Sequence, residues 1–414
     1  MIRNMKAIQF NLTIPRYILG LGLGKLSSDI YWSGLTCTQY KDIPGPQLPG
    51  EDWVIVKTRL GGICGTDMSA VKLTASTYSS PLVTFPFVIG HENIGLIEKV
   101  GSDVENWEVG DRVVVEPALW CKPRGIKQLC PYCAKGEINH CINITKGNLS
   151  PGISTGLCHD TGGSWAPYFV AHEDQLYKVP DDISDENGMM IEPFVIGLHT
   201  ALKYFPQDNE QVLIIGAGTI GLCVLAALRA LGSEAELIVV ARYPFQAEAA
   251  KTIGANHVIR GSRDSSYYEG IVELTGADLK NPIMGKPLVM GGVDRVYDCV
   301  GSNSSLDDAM RLTRNGGQVI FVGEPGVVKN LDWTPIFTQD LAVNAAYLYD
   351  HNEEYRGQVW KTFDLAIHLM ANEGVDIGWM VTHKFALNEY KQAFSVSDHK
   401  KQEEAIKIAF EFPY

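Results

Sequence analysis

Two rhythms of apolar and polar positions divide the chain. Up to about residue 193 the apolar residues come in short runs broken by glycine and proline. Trp53 to Leu60 alternates as a strand, Ile94 to Val100 follows a Gly90-His91-Glu92 turn, and Gly110-Asp111 leads into Arg112–Val115. Such punctuation predicts antiparallel β structure. From Gln211 the rhythm changes. Strand-like runs at Gln211–Ile215, Leu237–Val240, Asp294–Cys299 and Gln318–Val322 alternate with helical stretches at Gly221–Leu231, Gln246–Ile253 and Ser305–Leu312. This alternation predicts βαβ units and a parallel sheet, so the fold class is α/β. After about residue 350 the pattern is mixed again, with helices expected over Trp360–Met370 and Leu387–Phe394. Asn11–Asp42 and the Gly/Pro-rich Gly276–Gly292 read as insertions, either functional loops or surface excursions.

Composition narrows the function classes. Lys plus Arg is 35 against 48 Asp plus Glu, a net charge of −13. With no basic run, nucleic acid is a poor partner. The apolar stretch Val212–Leu231 carries glycines and Arg229, and Ile14–Leu26 is short and interrupted, so neither predicts a membrane span. The opening Met1–Lys6 shows no export signal. Nine cysteines are an odd count for a secreted disulfide framework. The expected compartment is the reducing cytoplasm, with no membrane partner.

The run Val212–Ile215 leads into Gly216-Ala217-Gly218-Thr219-Ile220-Gly221 and then a helix. In that context G-x-G-x-x-G is a dinucleotide fingerprint. The first glycine makes the turn, the second admits the pyrophosphate and the third lets the helix pack on the strand. The helix N-terminus then favours the anion. At the end of the second strand Ala241 stands where an NAD site carries a carboxylate, and Arg242 follows. That substitution predicts NADP(H) over NAD, unless Arg242 only stacks on adenine or faces solvent.

Cys64 in Gly61–Asp67 and His91 in Gly90-His91-Glu92 are the residue types zinc prefers. Asp67 and Glu92 lie close enough to orient them, and Glu192 before Pro193 is the candidate third ligand. Cys121, Cys130, Cys133 and Cys141 give C-x8-C-x2-C-x7-C, a set suited to a closed tetrahedral zinc site. Cys37, Cys158, Cys223 and Cys299 read as small core or surface residues.

Together, Gly61–Asp67, the His91 motif, the four-cysteine lobe, the run from Glu192 to His199 and the Gly216 loop resemble the zinc-dependent medium-chain dehydrogenase/reductases, the alcohol, sorbitol and glucose dehydrogenase superfamily. The resemblance implies a GroES-like, mostly β catalytic domain over 1–193 and 349–414. It implies a Rossmann domain over 194–348. It implies Cys64, His91 and Glu192 on a catalytic zinc, with Glu92 a neighbour able to exchange onto it. Asp67 would hold His91 and Thr66 would pass the alcohol proton towards the cofactor ribose. Ser69 stands where the family places a relay histidine. In the lobe, Cys121 is displaced by the insertion Lys122–Gln128; either it still ligates or another group replaces it. Two zinc ions per subunit are expected if both sites fill. Residues near Thr66, Tyr78, Trp165 and the loop after Gly323 would line the substrate pocket. Leu341–Tyr349 matches the family's dimer strand, implying a homodimer or homotetramer.

The implied activity is reversible hydride transfer between NAD(P) and an alcohol, polyol or sugar. A zinc-independent enone or quinone reductase on the same fold, and a non-catalytic homologue, are the other readings. The ligand set argues against the first, and the ligand set together with the glycine loop against the second.

Overall fold

A computed structural model describes residues 4–262 and 264–413. Met1, Ile2 and Arg3 of the lead segment, Arg263 and Tyr414 lie outside the described residues. The chain divides into two compact units. One runs to Glu192 and takes back the chain at Asp350–Glu353 and from Gly357; the other holds Pro193–Tyr349 and Glu354–Arg356.

The first unit is built on a seven-stranded sheet. Its main path runs Val381–Ala386, Lys407–Glu411, Trp53–Gly62, Asn93–Val100, Arg112–Val115 and Leu176–Lys178, with Tyr168–His172 also paired to Trp53–Gly62. All its pairings are antiparallel except the one joining Val381–Ala386 to Lys407–Glu411. A smaller sheet orders Thr38–Pro44, Asn4–Phe10 and Phe87–Val88. The alternating Val54, Val56, Ile97, Val113 and Val115 fill the core on one side. An aromatic cluster of Trp32, Trp165, Phe394 and Phe410 fills another.

The second unit is a six-stranded parallel sheet ordered His257–Arg260, Glu236–Ala241, Gln211–Ile215, Val293–Asp298, Thr313–Phe321 and Ala342–Ala345. Strand order reverses between Gln211–Ile215 and Val293–Asp298. In a doubly wound sheet that reversal opens the crevice where ligands sit. The helix Thr219–Ala230 begins there.

Both insertions carry structure that the punctuation concealed. Asn11–Asp42 holds the helix Ile14–Leu23, a short 3-10 turn over Ser28–Trp32 and the strand Thr38–Pro44, which pairs back on Asn4–Phe10. Its glycines and Pro15 read as breakers, yet Pro15 sits in the first helical turn, where it costs nothing. Gly276–Gly292 holds a hairpin of Asp278–Lys280 against Leu288–Met290.

Candidate metal centres and dinucleotide loop

The strand Trp53–Gly62 delivers Cys64 to the start of the helix Gly65–Val71, as its N-cap. Asp67, in the first turn and 3% exposed, turns its carboxylate back on two groups. Oδ2 accepts from the Cys64 backbone N–H at 3.0 Å, and Oδ1 lies 3.2 Å from His91 Nδ1. One carboxylate therefore fixes the cysteine's backbone and the histidine's ring. Holding the proton on Nδ1 leaves the Nε2 lone pair for a metal. Burial opposes a charge on His91, but Asp67 and Cys64 outweigh it and hold its pKa well above the ordinary value.

The ligand atoms of Cys64, His91 and Glu92 all lie within 4.8 Å of one another. Glu92 is fully buried; its Oε2 pairs with the Lys407 ammonium and its Oε1 finds no hydrogen-bond donor among the described residues. Gly62 makes this approach possible, since a Cβ there would meet Glu92 Oε2 at 2.0 Å. Glu192 is not in that close set. It lies buried beside it on the helix Asp185–Lys203, and burial above all pushes its carboxyl up to about 7, with His91 and Lys407 pulling it down and Glu92 pushing it up.

Lys407 was missed in the sequence. It is 2% exposed, on the strand Lys407–Glu411, and its Nζ also donates to Ile63 O at 3.2 Å. The signal was a lysine inside the apolar run Ala405–Phe410. A charge in a buried strand demands a partner.

Thr66 is exposed on the first turn after Cys64. Ser69 Oγ is engaged by Gly65 O at 3.1 Å. Two of the residues around which the pocket was expected differ in exposure. Trp165 is fully buried in the aromatic core, its indole N–H donating to Gly62 O at 2.9 Å, and Tyr78 is 85% exposed on a 3-10 turn. A large aromatic flanked by small residues gives no sign of which way it faces.

Cys121, Cys130, Cys133 and Cys141 converge with all four sulfurs within 4.8 Å. Backbone N–H groups of Cys130, Cys133 and Asn143 donate to the sulfurs of Cys121, Cys130 and Cys141. A hydrogen bond from Cys133, with others from the lobe, lowers Cys141 to about 6 against the effect of burial. Cys130 is lowered as well, whereas burial raises Cys121 and the hydrogen bond to Cys141 raises Cys133, so the proton density is shared unevenly across the four sulfurs.

The insertion brings Cys121 home through Arg124, another residue the sequence did not flag. Fully buried, Arg124 donates to five carbonyls, those of Leu119, Lys146, Leu149, Ser150 and Gly152. The guanidinium thus ties the two ends of the lobe together. Lysine offers three donors from one point and cannot span them. Arg124→Lys is expected to lower the melting temperature and to release one zinc per chain on gel filtration. Unchanged metal content would show that Arg124 does not hold the lobe.

In the second unit Gly216 takes a positive φ of 99°, and its N–H donates to Val240 O at 3.0 Å. A Cβ at Gly218 would point into open space, while one at Gly221 would lie 1.8 Å from Gly216 O. The loop therefore leaves room at Gly218, with Thr219 and Ile220 opening the helix behind it. Arg242 is exposed beyond its strand, its guanidinium 5.6 Å from the Tyr243 ring centroid. The neighbouring strand places Arg260 beside Ala241, and Arg260 Nη2 donates to Arg242 O at 2.8 Å. Two cations thus stand together where the sequence offered one.

Residues 50–181 match the family model of the alcohol dehydrogenase GroES-like domain, and 219–364 that of the zinc-binding dehydrogenases. L-idonate 5-dehydrogenase of Vitis vinifera is 29% identical over 360 residues, covering 86% of this chain and 87% of its own length. Sorbitol dehydrogenase of Bacillus subtilis (strain 168) is 29% identical over 353 residues, covering 85% and 88%. Among solved structures, zinc dependent alcohol dehydrogenase 2 from Streptococcus pneumonia superposes with a TM-score of 0.73 at 24% identity, over 99% of both chains, a likeness of fold.

Proposed function

The chain belongs to the zinc-dependent medium-chain dehydrogenase/reductase family, and on that premise we propose that it oxidises an alcohol, polyol or sugar at a CH–OH carbon, reversibly, with a nicotinamide dinucleotide. The convergence of Cys64, His91 and Glu92, with Asp67 bracing two of them, carries this reading. The donor set suits zinc: a thiolate, an imidazole with its proton held on Nδ1, and buried carboxylate oxygen without a donor. Zinc bound there supplies Lewis acidity to the substrate oxygen.

Each residue then has a task. Cys64 and His91 are metal ligands and Asp67 orients them. Glu192 is the third ligand: with Lys407 paired to Glu92, its buried carboxyl has no ion-pair partner among the described residues, and a cation would relieve it. Glu92 is the neighbour able to exchange. Thr66 Oγ1 takes the proton of the alcohol, and with Ser69 tied to Gly65 O its onward path involves no histidine at that position. The lobe cysteines, Cys121 included, hold a second, structural zinc. Gly216, Gly218, Thr219, Ile220 and Gly221 cradle the pyrophosphate.

The dinucleotide is NADP(H). Arg242 and Arg260 supply the charge a 2′-phosphate needs, and Ala241 stands in place of the carboxylate that would repel it. Replacing both by alanine is expected to raise the KM for NADPH by about tenfold or more, since a charged hydrogen bond is worth about 1.5–3 kcal/mol. NADH kinetics should barely change. Initial rates with both coenzymes check this, and a wild-type preference for NADH would refute it. The edge strand Ala342–Ala345, paired on one side only, is the surface for the homo-oligomer. A panel of polyols, aldoses and simple alcohols, followed by nicotinamide absorbance, tests the activity and ranks the substrates.

A further inference from the structure

We propose that the excursion between residues 11 and 36 is a docking surface for an anionic lipid bilayer, on which the helix Ile14–Leu23 lies flat. The excursion is a fixed shelf. Leu12, Tyr17 and Tyr31 pack against the core of the first unit around Trp32, and Gly20 is buried where a Cβ would run into Leu73.

The outer face of its helix is apolar, and exposed polar residues (Thr13, Lys25, Ser27, Asp29 and Ser33) flank it. Ile14 is 74% exposed, Ile18 63%, Leu26 80% and Leu35 66%, and Leu19, Leu21 and Leu23 are exposed as well. At 3.6 residues per turn, Leu21, Ile14, Ile18, Gly22, Pro15, Leu19 and Leu23 sweep an arc of about 200°. No polar side chain falls on that arc. A helix seated against one other helix needs only a narrow stripe. An arc this wide is what a helix uses when half sunk at the boundary between headgroups and acyl chains.

The charge pattern names the surface. Residues 11–36 carry Arg16 and Lys25 against a single acid, the exposed Asp29, and none of 11–28 is acidic, on a chain of net charge −13. Lys25 is exposed next to Leu26, and Arg16 Nη1, at the margin of the arc, donates to Gln39 Oε1 at 3.2 Å. Acidic groups elsewhere are screened beyond about 8 Å at physiological ionic strength, so the local cations decide the contact. No helix among the described residues is long and apolar enough to cross a membrane. The expectation of no membrane partner was drawn from the lack of a spanning segment, and a helix lying on the surface is a separate case.

Sedimentation of the full chain with vesicles of phosphatidylcholine and phosphatidylglycerol tests the proposal. The wild type is expected to pellet with them. Ile18→Asp combined with Leu26→Asp should weaken binding by about tenfold or more, with an unchanged melting temperature, because both side chains already face water. Lys25→Glu should weaken binding to the mixed vesicles by about fivefold and leave pure phosphatidylcholine unaffected. Three results would each overturn the proposal. One is a wild type that stays in the supernatant. Another is equal pelleting of wild type and double variant. The third is a lipid-independent oligomer that the double variant dissolves, since the face would then be covered by a second copy.

Discussion

Cys64→Ser is expected to lower kcat by about three orders of magnitude and to remove one of the two zinc ions while leaving the fold intact. Serine keeps the size of the side chain and the N-cap position of the helix Gly65–Val71. It loses the thiolate. At neutral pH a hydroxyl is a poor zinc donor, so the site falls from a mixed thiolate, imidazole and carboxylate set to one with two strong ligands. Lewis-acid stabilisation of the substrate oxygen is worth several kcal/mol, and each 1.36 kcal/mol is tenfold in rate, which gives about 10³. The helix start survives because Asp67 Oδ2 grips the residue 64 backbone N–H, a contact the substitution does not touch. Metal analysis and circular dichroism separate the outcomes: one zinc lost with an unchanged spectrum fits, and full turnover with two zinc ions refutes the assignment.

Lys407→Met should destabilise the first unit by about 3–5 kcal/mol, the usual consequence of breaking a buried ion pair from one side. Methionine keeps the length and apolar contacts of the lysine stem on the strand Lys407–Glu411. What goes is the ammonium, leaving Glu92 buried, its pairing cation gone and Ile63 O without that donor. Burial alone would lower the lysine's pKa, but Glu92 and Cys64 outweigh it and hold it above 10.5. A lysine raised in this way gives stability that is fully present below its unfolded pKa and fades only as pH climbs through the folded one. The deficit of the variant should therefore be constant across the neutral range and shrink only in strong alkali. Denaturant midpoints at several pH values read this directly; a gap that narrows near neutrality would place the lysine outside the ion pair. Lys407→Arg, which keeps the charge, should recover most of the loss.

The two cases differ in how far the sequence reveals them. Cys64, His91 and the four lobe cysteines announce themselves because few other roles need thiols and imidazoles at those spacings. The Gly216 loop is legible for a similar reason, since its three glycines answer separate steric demands. The strands Gln211–Ile215, Glu236–Ala241 and Val293–Asp298 follow the pattern within a residue, because a sheet covered on both faces writes its strands as continuous apolar runs, while Thr313–Phe321 starts five residues before the run at Gln318 and the short edge strand His257–Arg260 has no such run. Lys407, Arg124 and Arg260 were hidden because each acts through a partner far along the chain. Glu92 lies over three hundred residues from Lys407, Arg124 reaches carbonyls as distant as Gly152, and Arg260 meets Arg242 only through strand pairing. The helix Ile14–Leu23 was hidden by composition. Gly20 and Gly22 within it look like breakers, and Gly20 is there to let Leu73 approach.

The most direct measurement follows nicotinamide absorbance with a responsive alcohol, polyol or sugar, before and after treatment with a chelator and again after zinc is restored. The predicted result is substrate-dependent reduction of the coenzyme that disappears with the metal and returns with it. Turnover that survives removal of the catalytic zinc, or no turnover with any alcohol, polyol or sugar, would contradict a zinc-dependent dehydrogenase.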